Sequence, residues 1–332
     1  MPEVRLNLIT REWVVIATER ARPPGDFRQW KEKRYQPERL ESCPFCPGNE
    51  ETTPDEILRL PAGGPAPRDI DGGWKIRVVP NRLAVFAPEG GVEREVSGLR
   101  HRVCGAGRHE VIVESPRHDM CIPLMQAEDV VNVLGVYRDR FIEVYRDMRV
   151  EHVIIFKNNG EASGTTIQHP HSQVVGMPVT PFQVRERLEE ATRFFDETGE
   201  CLMCATLRDE QKDGRRIIAE TGHFVSFIPF AALSPFHTWL FPKRHSASFA
   251  DIEDEEIADL AKNLMATLSR LYYGLDNPDY NYVLRSESPE LHHSKCFHWY
   301  LSIVPRLAPA SGFALARACT RITPSRRISP HS

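Results

Sequence analysis

The sequence predicts an α+β protein built from two related halves, each an antiparallel sheet that carries helices. The prediction depends on an order of motifs that occurs twice. Each half has a Cys-x-x-Cys pair, a strand-like run ending in histidine, an amphipathic helix, and a second strand leading to another histidine. The two histidines are 51 positions apart in the first half and 53 in the second. Coincidence between two ordinary segments is the alternative, and the paired motifs favour duplication.

Local patterns predict the individual elements of each half. Two segments have apolar residues at helical spacing behind an acidic first turn, which predicts helices at 127–146 and 252–273. Short runs of β-branched and aromatic residues predict strands at 74–79, 110–113, 152–156 and 281–285. Proline and glycine predict surface loops at 22–37 and 60–73. The halves are predicted to be residues 1–178 and 179–332, joined around 179–200.

Composition limits the class of protein. The 332 residues are 41% hydrophobic and 27% charged, as in soluble globular proteins. The net charge of -4 argues against nonspecific nucleic-acid binding, which needs a basic surface. No signal-like segment or membrane-length apolar run is present, so we expect a cytoplasmic protein with no membrane partner. In that reducing compartment the eight cysteines are expected to bind metal or pack in the core.

The cysteine and histidine pairs predict two metal sites. Two thiolates in a Cys-x-x-Cys pair can hold one ion, and tetrahedral zinc needs two further nitrogen or sulfur ligands. Redox motifs or buried free thiols are the alternatives for a single pair. Two pairs in register with histidines favour two structural zinc sites. The expected ligands are Cys43, Cys46, His118 and His169 in the first half, and Cys201, Cys204, His245 and His298 in the second.

The segment 156–173 carries the catalytic candidates. On an extended strand, His169, His171 and Gln173 lie on one face. A neutral His171 imidazole can attack phosphorus, and the Gln173 amide can donate to a phosphoryl oxygen without a titratable proton. The preceding loop offers backbone and hydroxyl donors to phosphate at Gly160, Gly164, Thr165 and Thr166. A polar cluster on an edge strand is the plainer alternative.

These motifs resemble the galactose-1-phosphate uridylyltransferase family of the histidine triad superfamily. The resemblance is carried by CPFC at 43–46, ESPRH at 114–118, FKNNGEASGTT at 156–166, HPHSQ at 169–173 and HWYLSIVP at 298–305. It implies two histidine-triad-like halves, the first catalytic and the second without a nucleophile, since Tyr300 stands where duplication would place one. It also implies that the backbone carbonyl near 169 orients the ring of His171.

The resemblance further implies an activity and its contacts. A ping-pong reaction is expected, in which UDP-glucose gives UMP to His171 and a hexose 1-phosphate then takes it, producing UDP-galactose from galactose 1-phosphate. Gln173 is expected to steady the phosphoryl group. The chain is expected to form a homodimer. The implied nucleotide contacts are Arg20, Arg22, Asn81, Asn158, Gly164, Thr165, Thr166 and Gln173.

Three other functions remain open at this point. A member of the same family acting on ADP-glucose, as a phosphorylase or adenylyltransferase, would carry the same motifs. A zinc-stabilised nucleic-acid-binding protein would also have two Cys-x-x-Cys sets, although the acidic balance opposes it. A nucleotide hydrolase of the triad type is the third. The tail from about residue 308 departs from the family pattern, is basic and rich in serine and proline, and is expected to be disordered.

Overall fold

The protein combines one large sheet with four α-helices, in a computed structural model that describes residues 1–17, 23–27, 36–62, 73–307 and 320–322. The helices are α1 (Ala127–Tyr145), α2 (Phe182–Thr198), α3 (Leu202–Asp213) and α4 (Asp254–Gly274). The strands are β1 (Glu3–Leu6), β2 (Trp13–Ile16), β3 (Leu58–Pro61), β4 (Trp74–Pro80), β5 (Arg94–Ser97), β6 (Arg100–Val103), β7 (Arg108–Val113), β8 (His152–Asn159), β9 (His171–Met177), β10 (Ile217–Glu220), β11 (Phe224–Phe227), β12 (Thr238–Pro242), β13 (Tyr280–Arg285), β14 (Tyr300–Pro305) and β15 (Thr320–Ile322). The α+β class predicted from the sequence is confirmed.

The large sheet shows the duplication directly. Its ten strands run in the order β10-β11-β12-β14-β13-β8-β9-β7-β4-β3, and every neighbouring pair is antiparallel. Five strands come from each half, and the two sets mirror each other across the β8–β13 pair. The halves therefore share a single sheet, which the sequence had predicted only as two related ones. The division at residue 178 stays a prediction.

One face of this sheet packs against α1 and α4. Both helices place an apolar stripe on the sheet, which includes Val133 and Phe141 of α1 and Leu260 and Leu264 of α4. A capping box between Glu253 and Glu256 begins α4 by satisfying free backbone amides. The helices predicted at 127–146 and 252–273 are thus confirmed, with ends within two residues of the prediction.

The other face is covered unevenly. Helices α2 and α3 pack on the strands of the second half through Ala191, Leu202 and Leu207, against Trp239 and Tyr300. The middle strands of this face, β8, β9 and β13, stay open toward a cleft. The sequence predicts only a joint between the halves at 179–200, whereas the structure forms α2 there. The helix was hard to recognise because it buries only Val184 and Ala191.

Peripheral elements complete the described ranges. Strands β1, β2 and β15 form a small sheet, in which β15 runs parallel to β2. The expected disorder of the tail does not apply to this strand, and residues 308–319 and 323–332 lie outside the described residues. Part of the predicted loop at 60–73 belongs to β3, and 63–72 are likewise outside. Within the described ranges, no helix has the length and apolar character needed to cross a membrane.

A buried carboxyl beyond β13 gives the protein a pH-dependent stability. Glu287 is 6% exposed, and burial raises its pKa to about 6 from 4.5. Its contribution to stability is therefore fully present below pH 4.5 and lost as pH rises through 6. We expect Glu287→Gln to raise the free energy of unfolding by about 2 kcal/mol at pH 8.

Urea unfolding from pH 4 to pH 8 measures this expected gain. The exposed neighbour Glu290 supplies the matched control, Glu290→Gln, which should leave the curve unchanged. A gain for Glu287→Gln that is equally large at pH 4 and pH 8 would contradict the assignment to this carboxyl group.

Candidate active site

The first predicted metal cluster is assembled and buried. Ligand atoms of Cys43, Cys46, His118 and His169 lie within 4.8 Å of one another. The Nδ1 atoms of His118 and His169 each lie 3.5 Å from Cys46 Sγ. His169 Nε2 donates to the Ser115 carbonyl at 2.7 Å, which leaves the Nδ1 lone pair directed at the thiols. This donor set fits a structural zinc ion.

The second cluster has the same composition and a more exposed position. Ligand atoms of Cys201, Cys204, His245 and His298 also lie within 4.8 Å of one another. Cys204 Sγ is 3.2 Å from His245 Nδ1 and 3.1 Å from His298 Nδ1. A hydrogen bond from Cys204 lowers the pKa of the Cys201 thiol, so one thiolate forms readily. The set is compatible with zinc, although His245 is exposed and Cys204 only half-buried.

His171 begins β9 and is held in one orientation. Its Nδ1–H donates to the His169 carbonyl at 2.8 Å, as the resemblance implied. Burial lowers the pKa of the ring, so the imidazole is neutral near pH 7, with the lone pair on Nε2. The ring is 7% exposed and packs 5.4 Å from the ring of Phe45, inside the first Cys-x-x-Cys motif. The metal cluster thus borders the candidate nucleophile through both His169 and Phe45.

Gln173 lies two residues further along the same face of β9. Its Oε1 accepts from His109 Nε2 at 2.8 Å and from Asn81 Nδ2 at 3.3 Å. The Val85 amide donates to His109 Nδ1 at 3.1 Å, which fixes the proton of this ring on Nε2. Because Gln173 Oε1 is occupied, its amide NH₂ is the group left for a ligand.

His109 was missed by the sequence analysis, although the duplication contains a signal for it. The segments RHEVIV and FHTWLF each have histidine in second place, His109 within β7 and His237 directly before β12. His237 Nε2 contacts Ser302 Oγ at 2.8 Å, matching the contact between His109 and Gln173. The second copy is sealed in the core, where burial lowers the pKa of His237 to about 3.

The glycine-containing loop before β9 is tied to the second half. Gly160 has φ +86, and a Cβ there would lie 1.8 Å from Asp279 Oδ1, so only glycine fits. Asp279 Oδ2 accepts from the Ala162 amide at 2.7 Å. Asn281 donates to Asn158 Oδ1 at 2.6 Å, which leaves the Asn158 amide NH₂ for a ligand. The second half therefore shapes the loop that the sequence assigned to phosphate.

A cavity of about 510 Å³ opens beside these groups. Its polar lining comes from His109, Asn158, Gln173 and Arg285, and Phe86 and Phe156 are prominent among its apolar lining residues. An apolar cavity with few polar groups is typical of small-molecule sites. His171 is not among the lining residues; it lies on β9 two residues before Gln173, which is one of them.

The remaining predicted contacts divide into three groups. Asn81 lies within reach of Gln173, as described above. Gly164 and Thr166 are exposed on the loop, and Thr165 uses its hydroxyl to donate to the Ile167 carbonyl at 3.0 Å. Arg20 and Arg22 lie outside the described residues.

The position equivalent to the nucleophile in the second half is closed. Tyr300 begins β14 as His171 begins β9. Its ring is buried 4.9 Å from the ring of Phe241 and 5.5 Å from that of Trp239, under helices α2 and α3. The second half therefore has neither a histidine nor an open sheet face at the position of Tyr300.

Comparisons with known proteins agree with this geometry. Residues 102–181 match the family model of the galactose-1-phosphate uridyl transferase N-terminal domain, and 187–302 match that of the C-terminal domain. An ADP-glucose phosphorylase from Arabidopsis thaliana is 32% identical over 96% of this chain and 88% of its own length. A galactose-1-phosphate uridylyltransferase from Thermotoga maritima is 25% identical over 92% and 87%, respectively.

Solved structures show the same fold. The crystal structure of an ADP-glucose phosphorylase from Arabidopsis thaliana with bound ADP-glucose has a TM-score of 0.78 at 29% identity, covering 97% of this chain and 95% of that one. Fold and site together define an enzyme of the nucleotidyltransferase class. The chain belongs to the galactose-1-phosphate uridylyltransferase family.

Proposed function

We propose that the protein transfers a nucleoside monophosphate from a nucleotide sugar to a phosphate-bearing acceptor through a covalent bond to His171, with ADP-glucose as the donor and inorganic phosphate as the acceptor. The observation that carries the transfer is the Nδ1–H bond from His171 to the His169 carbonyl, which leaves Nε2 as the nucleophilic atom. No other described residue hydrogen-bonds to Nε2.

In the first step, His171 Nε2 attacks the α-phosphorus of the donor. The bond from that phosphorus to the bridging oxygen breaks, and glucose 1-phosphate leaves with the electron pair. The ring becomes a cationic phosphoimidazole, whose Nδ1–H stays on the His169 carbonyl oxygen, so the positive charge meets a partial negative charge. Amide groups of Gln173 and Asn158 are the candidate donors to the phosphoryl oxygens.

In the second step, an oxygen of the acceptor phosphate attacks the same phosphorus. The phosphorus–nitrogen bond breaks, its electrons return to the imidazole, and ADP forms. Splitting the transfer into two displacements at one phosphorus replaces one difficult step by two easier ones. Gln173 stands where triad hydrolases have a third histidine, so β9 carries no imidazole besides His171. The nearby His109 ring has both nitrogens engaged, by Val85 and Gln173, and is not free to activate water, which favours transfer over hydrolysis.

Zinc has a supporting place in this proposal. The first cluster would hold the ion through Cys43, Cys46, His118 and His169, and the ion would supply a structural cross-link between the segment that carries the cysteines and the residues before β9. The chain's own contribution is the His169 carbonyl, which orients the nucleophile two residues away.

The identity of the base separates two donors. The higher identity to the Arabidopsis ADP-glucose phosphorylase, 32% against 25% for the Thermotoga uridylyltransferase, supports adenine. UDP-glucose with a hexose 1-phosphate, the leading expectation from the sequence, is the second candidate and is supported by the match of both family models. Homodimer formation and a cytoplasmic location also stay proposals.

Intact mass spectrometry tests both donors. The purified protein is mixed separately with ADP-glucose and UDP-glucose, and the mass of the quenched chain is read before any acceptor is added. An AMP increment that disappears on adding phosphate supports the proposal. If UDP-glucose gives a UMP increment and ADP-glucose gives no AMP increment, the second candidate function is supported instead. If neither an AMP nor a UMP adduct forms with the sugar nucleotide in excess, both candidate functions are overturned.

A further inference from the structure

Four polar side chains form a buried cluster on the far side of the sheet from the cleft. Glu114 follows β7, Lys157 lies on β8, Tyr282 on β13 and Tyr137 on α1. Each is at most 2% exposed, among the apolar residues that join α1 and α4 to the sheet. Neither the metal clusters nor the proposed transfer uses any of them.

Hydrogen bonds link the four side chains of the cluster to one another. Lys157 Nζ donates to Glu114 Oε2 at 2.5 Å, and the Tyr137 hydroxyl donates to Glu114 Oε1 at 2.9 Å. The hydroxyls of Tyr137 and Tyr282 are 2.6 Å apart. Tyr282 and Lys157 are also partners in the β13–β8 register. The cluster therefore connects both halves across the seam of the sheet.

The same cluster reaches the backbone of the nucleophile. Lys157 Nζ donates to the His171 carbonyl at 3.1 Å, and the Glu114 amide donates to the Pro170 carbonyl at 3.0 Å. The His169 carbonyl accepts from the His171 ring. Three successive carbonyls, at 169, 170 and 171, are thus fixed by donors.

The position of Lys157 supplies a contact that the sheet lacks. The pairing of β8 with β9 ends at Phe156 and Gln173, so the His171 carbonyl lies beyond the last pair of that ladder. An ammonium group replaces the missing backbone donor. A buried ion pair is costly to desolvate, and apolar side chains of similar size often stabilise a fold equally well. Stability alone is therefore a weak reason for the pair.

We propose that Lys157 and Glu114 are positioning residues, which hold the His171 backbone so that Nε2 of its ring is aligned for attack. The inference rests on the proposed function, because its readout is nucleotidyl transfer to His171. Through Tyr137 and Tyr282 the second half contributes to this alignment, although it carries no nucleophile. Removing the pair should slow covalent loading while leaving donor binding largely intact, since neither side chain reaches the cleft.

The test is a double variant, Glu114→Leu with Lys157→Met, which leaves no unpaired buried charge. The matched control is Glu110→Leu with Arg140→Met, because that buried ion pair likewise involves a glutamate of the β7 segment, here bound to α1, and does not contact residues 169–171. Rapid quench with ADP-glucose or UDP-glucose gives the loading rate at saturation, and fluorescence titration of each His171→Asn derivative gives the donor Kd. Thermal unfolding reports whether each variant is folded.

We expect the first pair of substitutions to reduce the loading rate about 10- to 100-fold with donor Kd changed less than about threefold. The control should load within about twofold of the parent. Equal losses in both double variants, or an unchanged loading rate in the first, overturn the inference. If the first variant does not fold, Glu114→Gln with Lys157→Gln, which keeps polar groups, is read by the same criteria. Failure of the proposed function is distinct, because the parent itself would then carry no adduct.

Discussion

His171→Asn is expected to abolish the covalent adduct and to reduce transfer by about 10⁴-fold or more, because the attacking atom is removed. Asparagine fills much of the same space and keeps a polar group, so the fold and the cleft should survive. Intact mass with each donor measures the adduct, and release of glucose 1-phosphate measures turnover. Donor binding, followed by titration, should change little.

A histidine on the exposed hairpin formed by β5 and β6 supplies the control for this substitution. His101 lies on β6, away from the cavity lining, and His101→Asn should load as the parent does. Retention of the adduct in His171→Asn would place the nucleophile elsewhere and would remove the basis of the proposed mechanism.

Loss of the first metal ligand set is expected to have the second large effect. Cys46 is fully buried and its sulfur contacts both histidines of the cluster. We expect Cys46→Ser to lose zinc from this site and to lower the free energy of unfolding by about 4 kcal/mol or more. The loading rate of any folded fraction should fall about 10- to 100-fold, because the carbonyl that orients His171 belongs to a metal ligand.

Metal content by mass spectrometry, together with thermal unfolding, measures this effect. Cys104→Ser is the control, since Cys104 is an exposed cysteine outside both clusters. Chelators should remove metal from the second cluster first, because His245 is exposed there while the first cluster is buried throughout. A parent protein with no bound metal and full activity would contradict the zinc assignment.

The sequence predicted the parts of the fold that have strong periodicity or repeated motifs. Helices α1 and α4 were recognised because each buries a continuous apolar stripe, and the duplication was readable from paired cysteines and histidines. Helix α2 buries few residues, so its pattern resembled a polar linker. The joining of two sheets into one depends on pairing between β8 and β13, which are far apart in sequence. Local patterns do not encode such pairing.

In the site, too, residues in local motifs were predictable and contacts between distant strands were not. The expected metal ligands and His171 are recognisable because each belongs to a short motif, and the structure places the four candidate ligands of each expected site close together. His109 and Asn281 reach the site from other strands, β7 and β13. Nothing in their own sequence segments shows that His109 binds Gln173 or that Asn281 binds Asn158. Contacts across strands therefore account for most of what the sequence missed.

The pairing of β8 with β13 also protects the chain against association with other polypeptides. Expressed separately, each half would end in an unpaired strand of six or eight residues, a ready template for association with other polypeptides. Because the two halves are covalently linked, β8 and β13 meet at high effective concentration, and each strand is paired by the other. The second half, in which Tyr300 stands at the position of the nucleophile, therefore also covers the edge strand β8 of the first half and keeps it from pairing with other chains.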